Sequence, residues 1–377
     1  MVSLSILELG RVRQGSDRKA ALDEARALGQ HAERWGYTRL WVAEHHNMPG
    51  VTTAATSLVI AHIAAGTTTL RVGAGGVMLP NHAPYVIAEQ FGTLATLFPG
   101  RIDLGLGRAP GTDQVTLRAL RRDPSASDSF PQDVLELQAY LAPVRPGQRI
   151  EAVPGSGTEV PLWILGSSTF GAQLAARLGL PFGFASHFAP QSLDAAMAIY
   201  HQQFKPSQQL ASPYALAGVN VIAAETDAEA RRLATSQQMG FAEFIRGTRR
   251  LAQPPIDDIE TFWTPQEKFH ASQMLACTIV ASPDWTKRTW PAPLKASDLA
   301  SICSRPSPLA TMRRSMRPST WKRSADNCSS AFGTAPRLAL PLIERRPSPA
   351  FAVKRSICAS VPRSLIATSP SRTFTPC

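Results

Sequence analysis

The 377-residue sequence predicts an α/β fold, a (β/α)8 TIM-type barrel followed by an irregular basic tail. Three observations predict it. Short apolar runs with strand character alternate with amphipathic helical stretches over the first 280 residues, the pattern of a parallel sheet covered by helices. Seven such runs occur by residue 224, one short of a closed barrel. Beyond about residue 280 neither the helical nor the strand period persists.

The elements follow in order. The first run is Leu4–Leu9. Residues 18–35 then place Leu22, Ala25, Leu28, Ala32 and Trp35 three and four apart on one helical face, and Gly36 ends that helix. Leu40–Ala43, Leu70–Leu79 and Ile102–Leu106 are the next three strands, with helices at Ala55–Ala65 and Val86–Leu97 between them. Two polar stretches follow the fourth strand, Ala109–Asp133 and Pro143–Pro161. Both read as loops, the second with room for a small hairpin, and a lid over the barrel mouth is one use for them. The remaining strands are Leu162–Leu165, Phe182–Ala185 and Ala215–Ala224, followed by helices at Ala172–Leu178, Leu193–Tyr200 and Ala228–Ile245.

The net charge of +11 would ordinarily point to nucleic acid or an anionic membrane. Its location argues otherwise. Residues 281–377 hold 16 of the 39 Lys+Arg and 4 of the 28 Asp+Glu, a balance of +12, which leaves −1 for residues 1–280. The same segment holds one of the 25 glycines, 13 of the 31 prolines and four of the five cysteines, so it is made differently from the rest. No apolar run is long enough to span a membrane, and the start lacks the pattern of a signal peptide. The expectation is a cytoplasmic protein with no nucleic-acid or membrane partner.

In a barrel of this kind the chemistry sits at the C-terminal ends of the strands. The second strand ends in Glu44-His45-His46-Asn47. Neighbouring side chains on a strand face opposite ways, and no second cluster has ligand spacing, so no metal site is expected. A histidine at the mouth acting as base or hydrogen-bond donor, and a purely structural histidine, both remain open. Gly73, Gly75 and Gly76 in the third strand mark a bulge, a close approach by a flat ligand, or a kink for barrel closure. Gly105, Gly107 and Gly111 miss the dinucleotide spacing, and no helix follows directly, so a Rossmann motif is rejected. Small residues followed by Arg108 still suit a phosphate. Ser167 and Ser168 open the fifth helix, either as an ordinary cap or as a phosphate seat beside Arg108. Ser186-His187 ends the sixth strand, with function and filler equally open.

Together these runs resemble a known family. Trp41–Pro49, Val72–Pro80 leading into Ala88-Glu89-Gln90, Gly100–Arg108 and Leu165–Ser168 stand in the order found in the bacterial-luciferase-like flavin-dependent monooxygenases. The resemblance spans residues 3–280. It implies a barrel that binds reduced FMN, and dioxygen adding at the flavin C4a position to give a hydroperoxide that oxidises a small organic substrate. By position His45 matches the family's active-site histidine, and Arg108, Ser167 and Ser168 fall on its phosphate-binding positions. Gly75 and Gly76 match the bulge beneath the isoalloxazine ring, often a non-proline cis peptide. True luciferases carry a reactive cysteine where this chain has Gly107, so light emission is not implied. With no pyridine-nucleotide motif, a separate flavin reductase is the expected partner, and the resemblance allows a homodimer. Two alternatives stay open: a deazaflavin-dependent hydride-transfer enzyme, and an inactive flavin-binding product of a damaged gene.

The last of these arises from the tail. Residues 285–377 do not resemble the family, and their Arg/Ser/Pro-rich text reads as a GC-rich gene translated out of frame from about residue 285. The rival is a disordered binding tail. The expected organisation is therefore a flavin-binding barrel over 1–280, lacking a proper eighth strand and helix, and a tail over 281–377.

Overall fold

The computed structural model describes residues 3–282. Seven parallel strands form one sheet in chain order: β1 (Ser5–Glu8), β2 (Arg39–Val42), β3 (Arg71–Met78), β4 (Ile102–Gly107), β5 (Leu162–Gly166), β6 (Phe182–Phe184) and β7 (Ala215–Ala217). Consecutive parallel neighbours need a crossover each time, and helices supply it. These are α1 (Arg18–Arg34), α2 (Thr56–Ala64), α3 (Pro84–Leu97), α4 (Gln114–Ala119), α5 (Phe130–Leu141), α6 (Thr169–Leu178) and α7 (Leu193–Gln203). Two further strands, β8 (Asn220–Ala223) and β9 (Thr278–Ala281), pair in parallel with each other. Between them lie α8 (Asp227–Ile245) and α9 (Pro265–Met274).

Among the described residues β1 and β7 are the two edges of this sheet. β8 and β9 form a separate two-stranded sheet, in register from Asn220↔Thr278 through Ala223↔Ala281. The eighth helix, the frameshift and the rest of the 281–377 tail lie outside the described residues.

The seventh strand departs from its continuous expectation. It breaks at Gly218, whose N–H donates to the Phe184 carbonyl at 2.9 Å while Ser186 Oγ donates to the Gly218 carbonyl at 2.7 Å. The ring of His187 packs so closely on Gly218 that a Cβ there would overlap Nδ1. The chain thus leaves the β6 edge as β7 and resumes as β8 beside β9.

Local chemistry explains the helix ends. Asp17 caps α1 by accepting from the Ala20 N–H at 2.8 Å, and Gly36, at φ +77°, follows its last turn. The deepest residues of α1 are Ala21, Ala25, Gly29 and Ala32, with Leu22 and Leu28 flanking them. This small-residue face lets α2 come close, since a Cβ on Gly29 would lie 2.8 Å from Ile63 Cγ2. Ala109–Asp133 is not all loop. It holds α4, capped by Asp113, and the start of α5. Pro131 reads as a breaker but sits in the first turn of α5, where a missing N–H costs nothing. Phe130, Val134, Leu137 and Leu141 then bury one face. Pro143–Pro161 contains no hairpin among the described strands; it carries a cis Val153–Pro154 bond and packs Gly155 against Gly92 of α3.

Candidate active site

The mouth is lined by strand ends. β3 and β4 lose register between Gly75 and Val77, and the Gly75–Gly76 peptide is cis. No side chain fits there. A Cβ on Gly75 would lie 2.8 Å from Leu7 Cδ1 and 2.9 Å from Trp41 Cβ; one on Gly76 would lie 2.7 Å from both the Gly105 carbonyl oxygen and Leu165 Cδ1. Only bare backbone fits there, packed against Leu7 of β1, Trp41 of β2, Gly105 of β4 and Leu165 of β5.

Glu44 and His45 follow β2. Glu44 is 1% exposed, yet its carboxylate is well supplied with donors. His46 Nε2 lies at 2.8 Å and His82 Nε2 at 2.9 Å from Oε1, and the Met78 N–H donates to Oε2 at 3.1 Å. Burial alone would raise its pKa; the two histidines and the backbone N–H outweigh that and hold it down at about 2. Glu44 thus ties the end of β2 to the turn after β3. The sequence offered no ligand-spaced cluster, but the fold brings Glu44, His46 and His82 within 4.8 Å of one another. Both Nε2 atoms already face the carboxylate, and the group forms a hydrogen-bonded cross-link.

His45 points elsewhere. Its Nδ1 is buried with no hydrogen-bond partner among the described residues. Burial pushes its pKa down to about 4, Glu44 opposes the shift, and Arg11 and His46 add to it. The imidazole is neutral at pH 7. His187, after β6, is also buried and held at about 4, by burial first and by the charge of His45 second. Sequence left His187 undecided; its burial depends on the Gly218 break, which no local signal marks.

The structure also brings Arg108 to the start of α6. Its guanidinium lies 4.1 Å above the ring of Phe170, two residues beyond Ser168. Ser168 is the N-cap of α6 but makes no side-chain cap bond, and Ser167 and Ser168 are both exposed. Free backbone N–H groups, two serine hydroxyls and an arginine thus meet at one helix end, a combination whose chemistry suits an anion. The sequence-predicted residues therefore form two groups: His45 with Gly75 and Gly76 at the centre, and Arg108 with Ser167 and Ser168 at the rim.

The comparisons with known proteins agree with this fold. The profile of the luciferase-like monooxygenase family matches residues 2–276. The chain belongs to that family. An Escherichia coli (strain K12) protein named luciferase-like monooxygenase is 48% identical over 302 residues, covering 80% of this chain and 90% of its own. The solved structure of apo-MsnO8 superposes with a TM-score of 0.68 at 34% identity, covering 80% of this chain and 90% of that one. More distantly, the fold is shared with the oxygenating constituent of 3,6-diketocamphane monooxygenase in complex with FMN, at a TM-score of 0.55 and 15% identity over 80% of this chain and 89% of that one. An F420-dependent secondary alcohol dehydrogenase shares it too, at 0.51 and 15% over 74% and 85%. No described helix is long and apolar enough to cross a membrane.

The buried acid–base groups set an expected pH response. His45 and His187 bind a proton more readily unfolded, near 6.5, than folded, near 4. Their contribution to stability is complete above about pH 6.5 and is lost as pH falls towards 4. Glu44 stabilises above about pH 4.5, and its share is lost only on the way down to 2. Unfolding free energy measured against pH should therefore fall between 6.5 and 4 before the carboxylate protonates. A profile flat from pH 7 to 4.5 contradicts this.

Proposed function

We propose that this chain is a flavin-dependent monooxygenase that takes reduced FMN from a separate reductase and oxygenates a small organic substrate. The side-chain-free Gly75–Gly76 stretch carries this reading: a Cβ at either position would strike Leu7, Trp41, Gly105 or Leu165, so this part of the mouth is built of backbone alone, the kind of surface a flat ring stacks on. The orphaned Nδ1 of His45 nearby and the open anion seat at Arg108, Ser167 and Ser168 fit the two ends of such a cofactor. Reduced flavin, when bound, supplies the electrons for dioxygen activation.

The chain's own residues do the rest. Arg108, the two serines and the α6 N-terminus hold a phosphate. Gly75 and Gly76 support the ring. Neutral His45 accepts or donates a proton at Nδ1 without first losing one to solvent, and Glu44 keeps the β2 and β3 ends on which His45 and the glycines stand in fixed relation.

Binding of FMN and of riboflavin, followed by fluorescence quenching, tests the phosphate seat. Arg108→Gln removes charge-assisted bonds of ~1.5–3 kcal/mol, so FMN affinity should fall by about 10- to 100-fold and riboflavin affinity should hardly change. An unchanged FMN-to-riboflavin ratio defeats the assignment. Oxygen uptake with reduced FMN tests the chemistry; a preference for a reduced deazaflavin with no oxygen consumed moves the chain to hydride transfer.

A further inference from the structure

A separate cleft lies between α8 and the segments that follow β1 and β2. It has a volume of about 200 Å³ and is lined by Arg11, Val51, Ser236, Gly240, Glu243 and Arg250, from the segments after β1 and β2, from α8 and from the loop after it. At ~30 Å³ per water it holds about seven waters, below the ~300–1,000 Å³ of a pocket that encloses a whole ligand. Its size suits a head group.

The charges of this cleft do not cancel. Glu243 is matched by Arg250 at 3.4 Å and Arg246 at 3.6 Å, and Arg249 by Asp113 at 2.7 Å. Arg11 makes no salt bridge within 4.0 Å among the described residues, and its Nε is buried without a hydrogen-bond acceptor. Glu8, buried at the end of β1, attracts it only at longer range. A guanidinium Nε buried without an acceptor is costly, and a planar carboxylate is the anion whose geometry the guanidinium fork matches. Gly240 leaves the space beside it open, since even a Cβ there would lie 3.5 Å from Arg11 Nη2. The cleft is also within electrostatic reach of the reacting centre, because the charge of Arg11 acts on His45.

We propose that Arg11 seats the carboxylate of the substrate in this cleft, so that the enzyme acts on small organic acids. The assignment rests on the oxygenating mouth proposed above for its consequence, but the seat itself can be tested without flavin. Calorimetric titration of the full chain with hexanoate and with hexanamide compares an acid with its neutral isostere. Hexanoate should bind about 10- to 100-fold more tightly, the worth of charge-assisted hydrogen bonds. Arg11→Gln should abolish the preference while leaving FMN affinity in place. Gly240→Leu, which fills the cleft and keeps the cation, should lower hexanoate affinity and covers the case in which Arg11→Gln fails to fold. Equal binding of acid and amide, no binding of hexanoate by about 10 mM, or a preference that survives Arg11→Gln overturns the proposal. A chain that prefers the acid but binds no FMN keeps the seat and loses the flavin reading.

Discussion

Replacing His45 with alanine is expected to lower the oxygenation rate by about 10²–10⁴-fold, the usual worth of a positioned acid–base group. FMN affinity should hardly change, because the phosphate seat and the Gly75–Gly76 backbone are untouched. The expectation follows from burial. His45 is neutral at neutral pH, with its pKa pushed down to about 4, and its Nδ1 has no internal partner to satisfy. A buried polar atom without a partner is rare and costly, and a ligand that completes it recovers that cost. His45→Asn keeps a polar group near the same place and should retain more activity than His45→Ala. Because the imidazole titrates near 4, the wild-type rate should show no His45 inflection between pH 6 and 8. Single-turnover rates with pre-reduced FMN measure both effects. A His45→Ala rate within a few-fold of wild type would remove His45 from the chemistry.

The largest expected effect on stability lies at the other end of the barrel. Asp103, 1% exposed near the start of β4, accepts from Arg39 Nε at 3.1 Å, from Trp41 Nε1 at 3.2 Å and from the guanidinium of Arg71. Arg39 also lies 5.1 Å over the ring of Trp163. Asp103→Ala leaves two largely buried cations and an indole N–H without their acceptor. Breaking such a group from one side costs about 3–5 kcal/mol. The Arg71 side chain is 26% exposed and the Arg39 side chain 12%, so water offsets part of this, and the lower end of the range is expected. Asp103→Asn, which keeps an acceptor but not the charge, should lose less. Urea unfolding midpoints at constant slope report the difference. A loss below about 1 kcal/mol for Asp103→Ala would mean that the two arginines find other partners.

Much of the scaffold was legible in the sequence. The first six strand runs lie within a residue or two of β1 to β6, because strands buried on both faces read as short apolar runs. The misses share a cause. Pro131 looked like a loop residue, yet proline is tolerated in a first helical turn, so α5 was hidden. Gly218 looked like one small residue in a long strand, yet it is where His187 packs and the strand divides. Glu44 carried no assignable role, since its partners His82 and Met78 are more than thirty positions away along the chain.

The sequence by itself determined the alternation of strands and helices and the near-neutral balance of residues 1–280, because these follow from local hydrophobic period and composition. Only the tertiary structure decided which side chains lie together. It joined Glu44 to His46 and His82, set Arg108 on the first turn of α6, kept His45 neutral, and left the Arg11 Nε without an acceptor. Each of these depends on burial and on distances between different strand ends, and those exist only once the sheet has curved and brought the ends together.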